Sequence, residues 1–157
     1  MVEKPVVDCF ICRKHRGQIQ VPGGAVYEDD MVYIGHASIP EGKNPDGETT
    51  AYLGAFLVEP KRHAPGIGDL TGPEAERVGL LASRVGRALV EVVGAEHVYL
   101  FVLGHHVDHL HLWLVPRYPG TPPEYWGQRV DEWSDAPRGG PEEIEELCRR
   151  VREALGR

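Results

Sequence analysis

HLHLWLVPR, His109 to Arg117, sets apolar residues at every second position against two histidines and a tryptophan. Alternate side chains of a strand face opposite sides. The run therefore predicts a strand over 109–115, with Leu110, Leu112 and Leu114 on one face and His109, His111, Trp113 and Val115 on the other. The leucines can anchor to a core while two imidazoles, about 6–7 Å apart along the strand, point the opposite way. A sheet holds such groups rigidly, which positional catalysis requires. One histidine on a sheet face is ordinarily a solvated polar residue. Two backed by three leucines, with His105 and His106 just upstream, point to chemistry instead.

Outward from this strand the chain alternates β-prone and helical segments. HVYLFVL (97–103) predicts a neighbouring strand, AYLGAFLVEP (51–60) a buried one, and AVYEDDMVYIGHA (25–37) a strand pair turning at Glu-Asp-Asp. Thr71-Gly-Pro-Glu74 has the form of a capping box, and Val78, Leu81, Val85, Leu89 and Val92 recur at helical spacing. They predict a helix over about 73–94, with Gly94 as its C-terminal cap. A second amphipathic helix is expected over 141–156, turning Ile144, Leu147, Cys148, Val151 and Leu155 inward. SIPEGKNPDGETT (38–50) reads as an exposed loop, and 116–140 is punctuated by Pro, Gly and aromatic residues. The expected fold class is α+β, an antiparallel sheet with helices packed on it. No repeat or low-complexity linker divides the chain, so 1–157 is expected to form one domain.

A formal charge of −7 argues against a protein that coats long nucleic acid, because neutralising phosphates takes a basic face. A small phosphorylated ligand stays compatible, since a pocket can be locally cationic. No apolar run approaches the roughly 20 residues of a membrane helix, and no basic leader precedes an apolar stretch. Three cysteines, an odd count, make a poor disulfide framework; a reducing, cytoplasmic setting is the expectation. Cys9-Phe-Ile-Cys12 leaves three readings open: a metal clasp, a redox pair, or two buried free thiols.

Gly104-His105-His106-Val107-Asp108-His109-Leu110-His111-Leu112-Trp113-Leu114-Val115-Pro116-Arg117 resembles the signature of the histidine triad superfamily, three histidines alternating with apolar residues and followed by Pro-Arg. The similarity extends to EDDMVYIGHA, to PKRH (60–63) and to GDLTGPE (68–74), covering about residues 7–120. The resemblance implies that the middle histidine, His111, attacks the α-phosphate of a nucleotide to give a nucleotidyl-imidazole intermediate. It further implies a homodimer with the sheet continued across subunits, and a nucleotide or dinucleoside polyphosphate as ligand. Zinc-containing members complete a Cys2His2 site, which here implies structural zinc held by Cys9, Cys12, His63 and His109.

Departures from the pattern shape what is expected. Trp113 stands where the third histidine would be, His105 where Gln is usual, and His106 where a small hydroxyl residue is usual. Ala37 replaces the aspartate often found at the ribose, with His36 adjacent. The expected phosphate and substrate contacts are accordingly His105, His106, Trp113 and His36. Two functions follow: a nucleotidyl hydrolase or transferase acting through His111, or a non-catalytic, zinc-stabilised nucleotide-binding module. The loop from Tyr118 to Trp133 either closes over a base or sugar or wraps its own domain or a subunit partner. Lys61 and Arg62 are read as solvated charges with phosphate contact as the alternative, Arg117 as structural or at a dimer edge, and His15 and His97 as surface or edge residues.

Overall fold

Asp29 makes the first hairpin. Its carboxylate accepts the backbone N–H groups of Met31 and Val32, both at 2.8 Å, and turns the chain between β1 (Ala25–Glu28) and β2 (Val32–His36). The computed structural model describes residues 9–39 and 49–156. Of the loop expected over 38–50, residues 40–48 lie outside that range, as do residues 1–8 and 157 of the expected domain.

The segment expected as one strand over 51–60 divides in two. Gly54 turns at φ +95°, separating β3 (Ala51–Tyr52) from β4 (Phe56–Pro60). A Cβ at Gly54 would stand 2.7 Å from Pro116 Cγ, so glycine is required by backbone and space together. β5 (His97–Phe101) ends before Val102, two residues short of the sequence expectation. β6 runs over Leu112–Arg117, so the regular strand begins after His111, not at His109. The alternation read from the sequence nevertheless holds across it. Leu110, Leu112 and Leu114 enter the main core, whereas Trp113 and Val115 join a second cluster on the opposite face.

Strands β1, β2, β4, β6 and β5 form, in that order, a five-stranded sheet with every neighbouring pair antiparallel. One face is covered by α2 (Gly72–Val93) and α3 (Pro141–Leu155). The capping box at the start of α2 is made: Thr71 Oγ1 accepts Glu74 N–H at 3.3 Å, and Glu74 Oε1 accepts Thr71 N–H at 2.9 Å. Gly94 closes that helix in the left-handed conformation, φ 68°. Val78, Leu81, Val85 and Leu89 are buried, and so are all five inward residues expected of α3.

The other face carries the elements that build the site. A short helix, α1 (Phe10–His15), which has no amphipathic repeat to announce it, buries Ile11, Cys12 and Lys14. The segment after β6 folds back through two 3-10 turns (Pro123–Tyr125, Gly127–Arg129) to β7 (Arg138–Gly139), which pairs with β3 in a small second sheet. Arg117 holds this segment: its guanidinium stacks 3.8 Å from the Trp126 ring centroid and donates to Tyr99 Oη at 3.1 Å. Val130 is buried against Ala37, Tyr52, Ala55 and Val115. Among the described residues, no helix is long and apolar enough to cross a membrane.

Candidate functional site

Cys9 caps α1 with its own side chain, Sγ accepting Cys12 N–H at 3.4 Å, so both thiols of the C-x-x-C pair turn to one side. They meet His63, just beyond β4, and His109, just before β6. The four donor atoms all lie within 4.8 Å of one another. Four of the separations are Cys9 Sγ–His109 Nδ1 3.5 Å, Cys12 Sγ–His109 Nδ1 3.4 Å, Cys12 Sγ–His63 Nδ1 3.3 Å and His109 Nδ1–His63 Nδ1 3.2 Å. Zinc bonded at about 2.3 Å to sulfur and 2.05 Å to nitrogen in a tetrahedron gives edges of about 3.5 Å for S···N and 3.3 Å for N···N. The cluster has those edges.

The chemistry of the donors agrees. His109 Nε2–H donates to Pro60 O at 2.7 Å, which leaves Nδ1 unprotonated and aimed at the cluster. Two ring nitrogens 3.2 Å apart and two thiols make an arrangement that a cation completes. Burial pushes His109 down to about 4 and, together with neighbouring Cys9, lifts Cys12 to about 11. The imidazole is thus held neutral, the form that binds metal, and the buried thiol needs a positive partner to ionise. These four residues form the donor set of a structural zinc site, with no position left for substrate.

The cluster is tied to the next residue of interest through one peptide carbonyl. His111 Nδ1–H donates to His109 O at 2.7 Å, so in the neutral ring the lone pair sits on Nε2. His111 is half-buried, and its ring centroid lies 6.2 Å from that of Trp113. Trp113 in turn walls a cavity of about 270 Å³ on the sheet face opposite the helices. The cavity floor is small and apolar (Ala37, Ala55, Val115), and its flank carries Gln128, Asp131 and Arg138 from the returning segment. Tyr52 lines it too, but its hydroxyl donates to Pro116 O at 2.6 Å, and burial pushes its ionisation out of reach.

Other expectations change. His36 does not face this cavity. It follows Val32 and Ile34 on the core face of β2, packs edge-on against Phe56 and is fully buried. Its Nδ1–H donates to Ala37 O at 2.8 Å and its Nε2 accepts Gly54 N–H at 3.0 Å, so the ring fixes the β3–β4 turn and is removed from the substrate contacts. His15 is no surface residue either: it stacks on Tyr33 at 4.8 Å and meets His109 edge-on at 5.7 Å. Lys61 pairs with Glu28 and Arg62 with Glu74, both at 2.8 Å. His105 and His106 lie exposed on the loop between β5 and β6, their ring centroids 6.3 Å apart.

Two groups escaped sequence reasoning. Asp131 and Gln128 lie inside the aromatic stretch 118–133 but carry no motif, and Arg138 reaches the cavity through the β3–β7 pairing. Lys14 of α1 and Glu59 of β4, paired at 2.6 Å with side chains 3% and 0% exposed, lie between that helix and the sheet. The signal for Glu59 was a lone carboxylate in an otherwise apolar strand.

No family model matches this sequence, and no curated protein matches it. Solved structures do. The chain is similar to a zinc-bound histidine triad family protein from Mycobacterium smegmatis (22% identity, TM-score 0.68, covering 96% of this chain and 95% of that one). It is also similar to a hypothetical histidine triad nucleotide-binding protein from Sulfolobus tokodaii (20%, TM-score 0.71, 94% and 92%). A third likeness is to a Hit-like protein involved in cell-cycle regulation from Bartonella henselae (20%, TM-score 0.70, 94% and 96%). The chain has the histidine triad fold, over nearly its whole length.

Proposed function

We propose that this protein is a zinc-stabilised nucleotidyl hydrolase or transferase that works through a covalent intermediate on His111. The observation that carries the reading is the 2.7 Å bond from His111 Nδ1–H to the His109 carbonyl, which leaves the lone pair of the neutral ring on Nε2, one strand position from the Trp113 that walls the cavity. The metal supplies no reacting group; bound by Cys9, Cys12, His63 and His109, it pins α1 and the start of β6. The fold and the Cys2His2 donor set both support zinc as that metal, as in the Mycobacterium smegmatis protein.

The chemistry runs in two displacements. The Nε2 lone pair forms a bond to the α-phosphorus, and the bond from phosphorus to the leaving oxygen breaks with its electron pair on that oxygen. Water then attacks the phosphorus, the P–N bond breaks, its pair returns to Nε2, and the proton of the water passes to solvent. A second nucleophile in place of water makes the same sequence a transfer. Trp113 offers an indole N–H but cannot deliver a proton. Leaving groups that depart as stable anions therefore suit the site, which favours a dinucleoside polyphosphate over a phosphoramidate or an alkyl ester. His105 and His106, on the loop preceding His111, are the phosphate-contacting candidates. A homodimer joined through the β5 edge, where Leu100 and Val102 are exposed, completes the reading, and a cytoplasmic location suits its free thiols.

Mass spectrometry of the protein quenched during turnover of a dinucleoside tetraphosphate tests it. An adduct of one nucleoside monophosphate, lost in His111→Ala and kept in Cys148→Ala, is expected. Nucleotide binding without adduct or turnover would establish the non-catalytic module instead.

A further inference from the structure

We infer that the cavity selects guanine nucleotides and that Asp131 is the residue that selects them. The inference rests on the reading of this cavity as a nucleotide site. Rows of the sheet give the ligand its direction. Phe101, Trp113 and Leu57 lie side by side across β5, β6 and β4, in the row next to His111. Val115 is two residues further from His111, about 6–7 Å along the strand. Ala37 and Ala55 lie at that depth too, joined by the Ala37 N–H to Ala55 O bond of 2.8 Å. A nucleotide with its α-phosphate at His111 thus has its sugar passing Trp113 and its base over the small residues beyond. About 270 Å³, below the roughly 300–1,000 Å³ of typical small-molecule sites, suits one nucleoside.

At that far end the walls change character. Val130 is buried against the small row, and Arg129 and Glu132 pair with each other at 2.7 Å in solvent. Asp131, between them, borders the cavity and is close enough to Tyr52 to act on its ionisation. Asp131 is exposed at the cavity rim; among the described residues it has no hydrogen-bond or ion-pair partner, and it is the one acidic side chain bordering this cavity. A carboxylate only accepts, through two oxygens set side by side. It matches a base edge with two adjacent N–H donors. Guanine has that edge at N1–H and the 2-amino group. Adenine and cytosine place a ring-nitrogen lone pair next to their amino group, and uracil flanks its N–H with two carbonyls, so each opposes a lone pair to one carboxylate oxygen. Arg138 borders the same cavity, its guanidinium donating to Thr50 Oγ1 at 3.2 Å and to Thr50 O at 3.3 Å.

Calorimetric titration of the full-length, zinc-replete protein with nucleoside monophosphates reads this selectivity without turnover. GMP is expected to bind at least ~10-fold tighter than AMP or UMP, within the ~10- to 100-fold that one bidentate pair discriminates, and IMP, lacking the 2-amino group, is expected between them. Asp131→Asn supplies an acceptor for N1–H and a donor for a 2-carbonyl, so GMP is expected to weaken ~10-fold or more while XMP tightens. That gain cannot come from a misfolded variant. Equal binding of GMP and AMP, an unchanged GMP/AMP ratio in Asp131→Asn, or a change only in GMP against dGMP, which would put the carboxylate on the sugar, each overturns the inference. Absence of binding by every nucleotide would instead overturn the nucleotide reading beneath it.

Discussion

Glu59 is fully buried in β4, and the ammonium that answers it, Lys14 on α1, is 3% exposed at 2.6 Å. Substituting Glu59→Gln keeps the shape and removes the countercharge. Breaking one partner of a buried ion pair costs about 3–5 kcal/mol, because the other charge stays in low dielectric. An independent limit comes from discharging the lysine: at pH 7, against an ordinary value of about 10.4, that costs about 4.6 kcal/mol. The Tyr33 ring, 5.2 Å from Nζ, offsets part of the cost and favours the lower half of the range. About 3–4 kcal/mol at about 2–4 °C per kcal/mol lowers Tm by roughly 6–16 °C in a chain of this size.

The double variant Lys14→Met with Glu59→Gln removes both charges and is expected within about 1 kcal/mol of wild type. Urea unfolding at saturating zinc reads all three proteins, with metal linkage held constant. Acid supplies a second check. Burial raises the Glu59 carboxyl, but the His15 imidazole 3.8 Å away and the charge and hydrogen bond of Lys14 outweigh it, so the folded value lies below the ordinary 4.5. A depressed acid stabilises fully above its unfolded value and loses that contribution as pH falls through the folded one. The gap between wild type and Glu59→Gln should therefore be widest near neutrality and close below about pH 4.5. A single-variant cost under ~1 kcal/mol, or a double variant as unstable as the single, would refute the charge argument.

Protein purified without added metal should carry about one zinc per chain by elemental analysis, and His63→Ala should lose most of it. A strong chelator should detach α1 yet leave a cooperative core, because the main apolar cluster draws on β1, β2, β4, β6, α2 and α3 and not on α1; far-UV circular dichroism during melting reads this. Gly54→Ala meets Pro116 Cγ at 2.7 Å in a left-handed turn and should lose about 1–3 kcal/mol, seen as a shifted urea midpoint. Thr71→Ala removes the hydroxyl that accepts Glu74 N–H and should cost about 1 kcal/mol, or roughly 2–4 °C in Tm.

What the sequence disclosed depended on whether the signal was periodic or merely local. α2 and α3 carry a 3.6-residue repeat, and Thr71, Glu74 and Gly94 mark helix ends by side-chain and backbone chemistry, so both helices were legible to within a residue. The Cys9, Cys12, His63 and His109 set was assembled from a resemblance, and the structure brings the four donors together over a span of a hundred residues. α1 was invisible, being six residues long and held by its ligands and by Lys14 rather than by an apolar stripe. His36 was misplaced because its neighbour Ala37, not His36 itself, has the parity that faces the cavity. The break at Gly54 depends on Pro116, sixty-two positions later, and no local pattern records such a clash.

Trp113 then takes on a different meaning from that of a damaged triad. Its Cα partners are Leu57 in β4 and Phe101 in β5, so the indole stands in a row of large apolar residues next to His111. A histidine there would leave the wall between His111 and the small residues beyond it much thinner, since the floor formed by Ala37, Ala55 and Val115 offers little bulk of its own. In the proposed reaction the indole gives up proton delivery and gains a rigid face against which a sugar or base can rest. His111 needs no help from that position to stay in its Nδ1–H tautomer, because the His109 carbonyl sets it, and His109 is fixed by Pro60 on one ring nitrogen and by the Cys2His2 cluster on the other. In the proposed reaction His111 is therefore oriented from the metal side and the nucleotide from the tryptophan side, two supports that separate substitutions can remove one at a time.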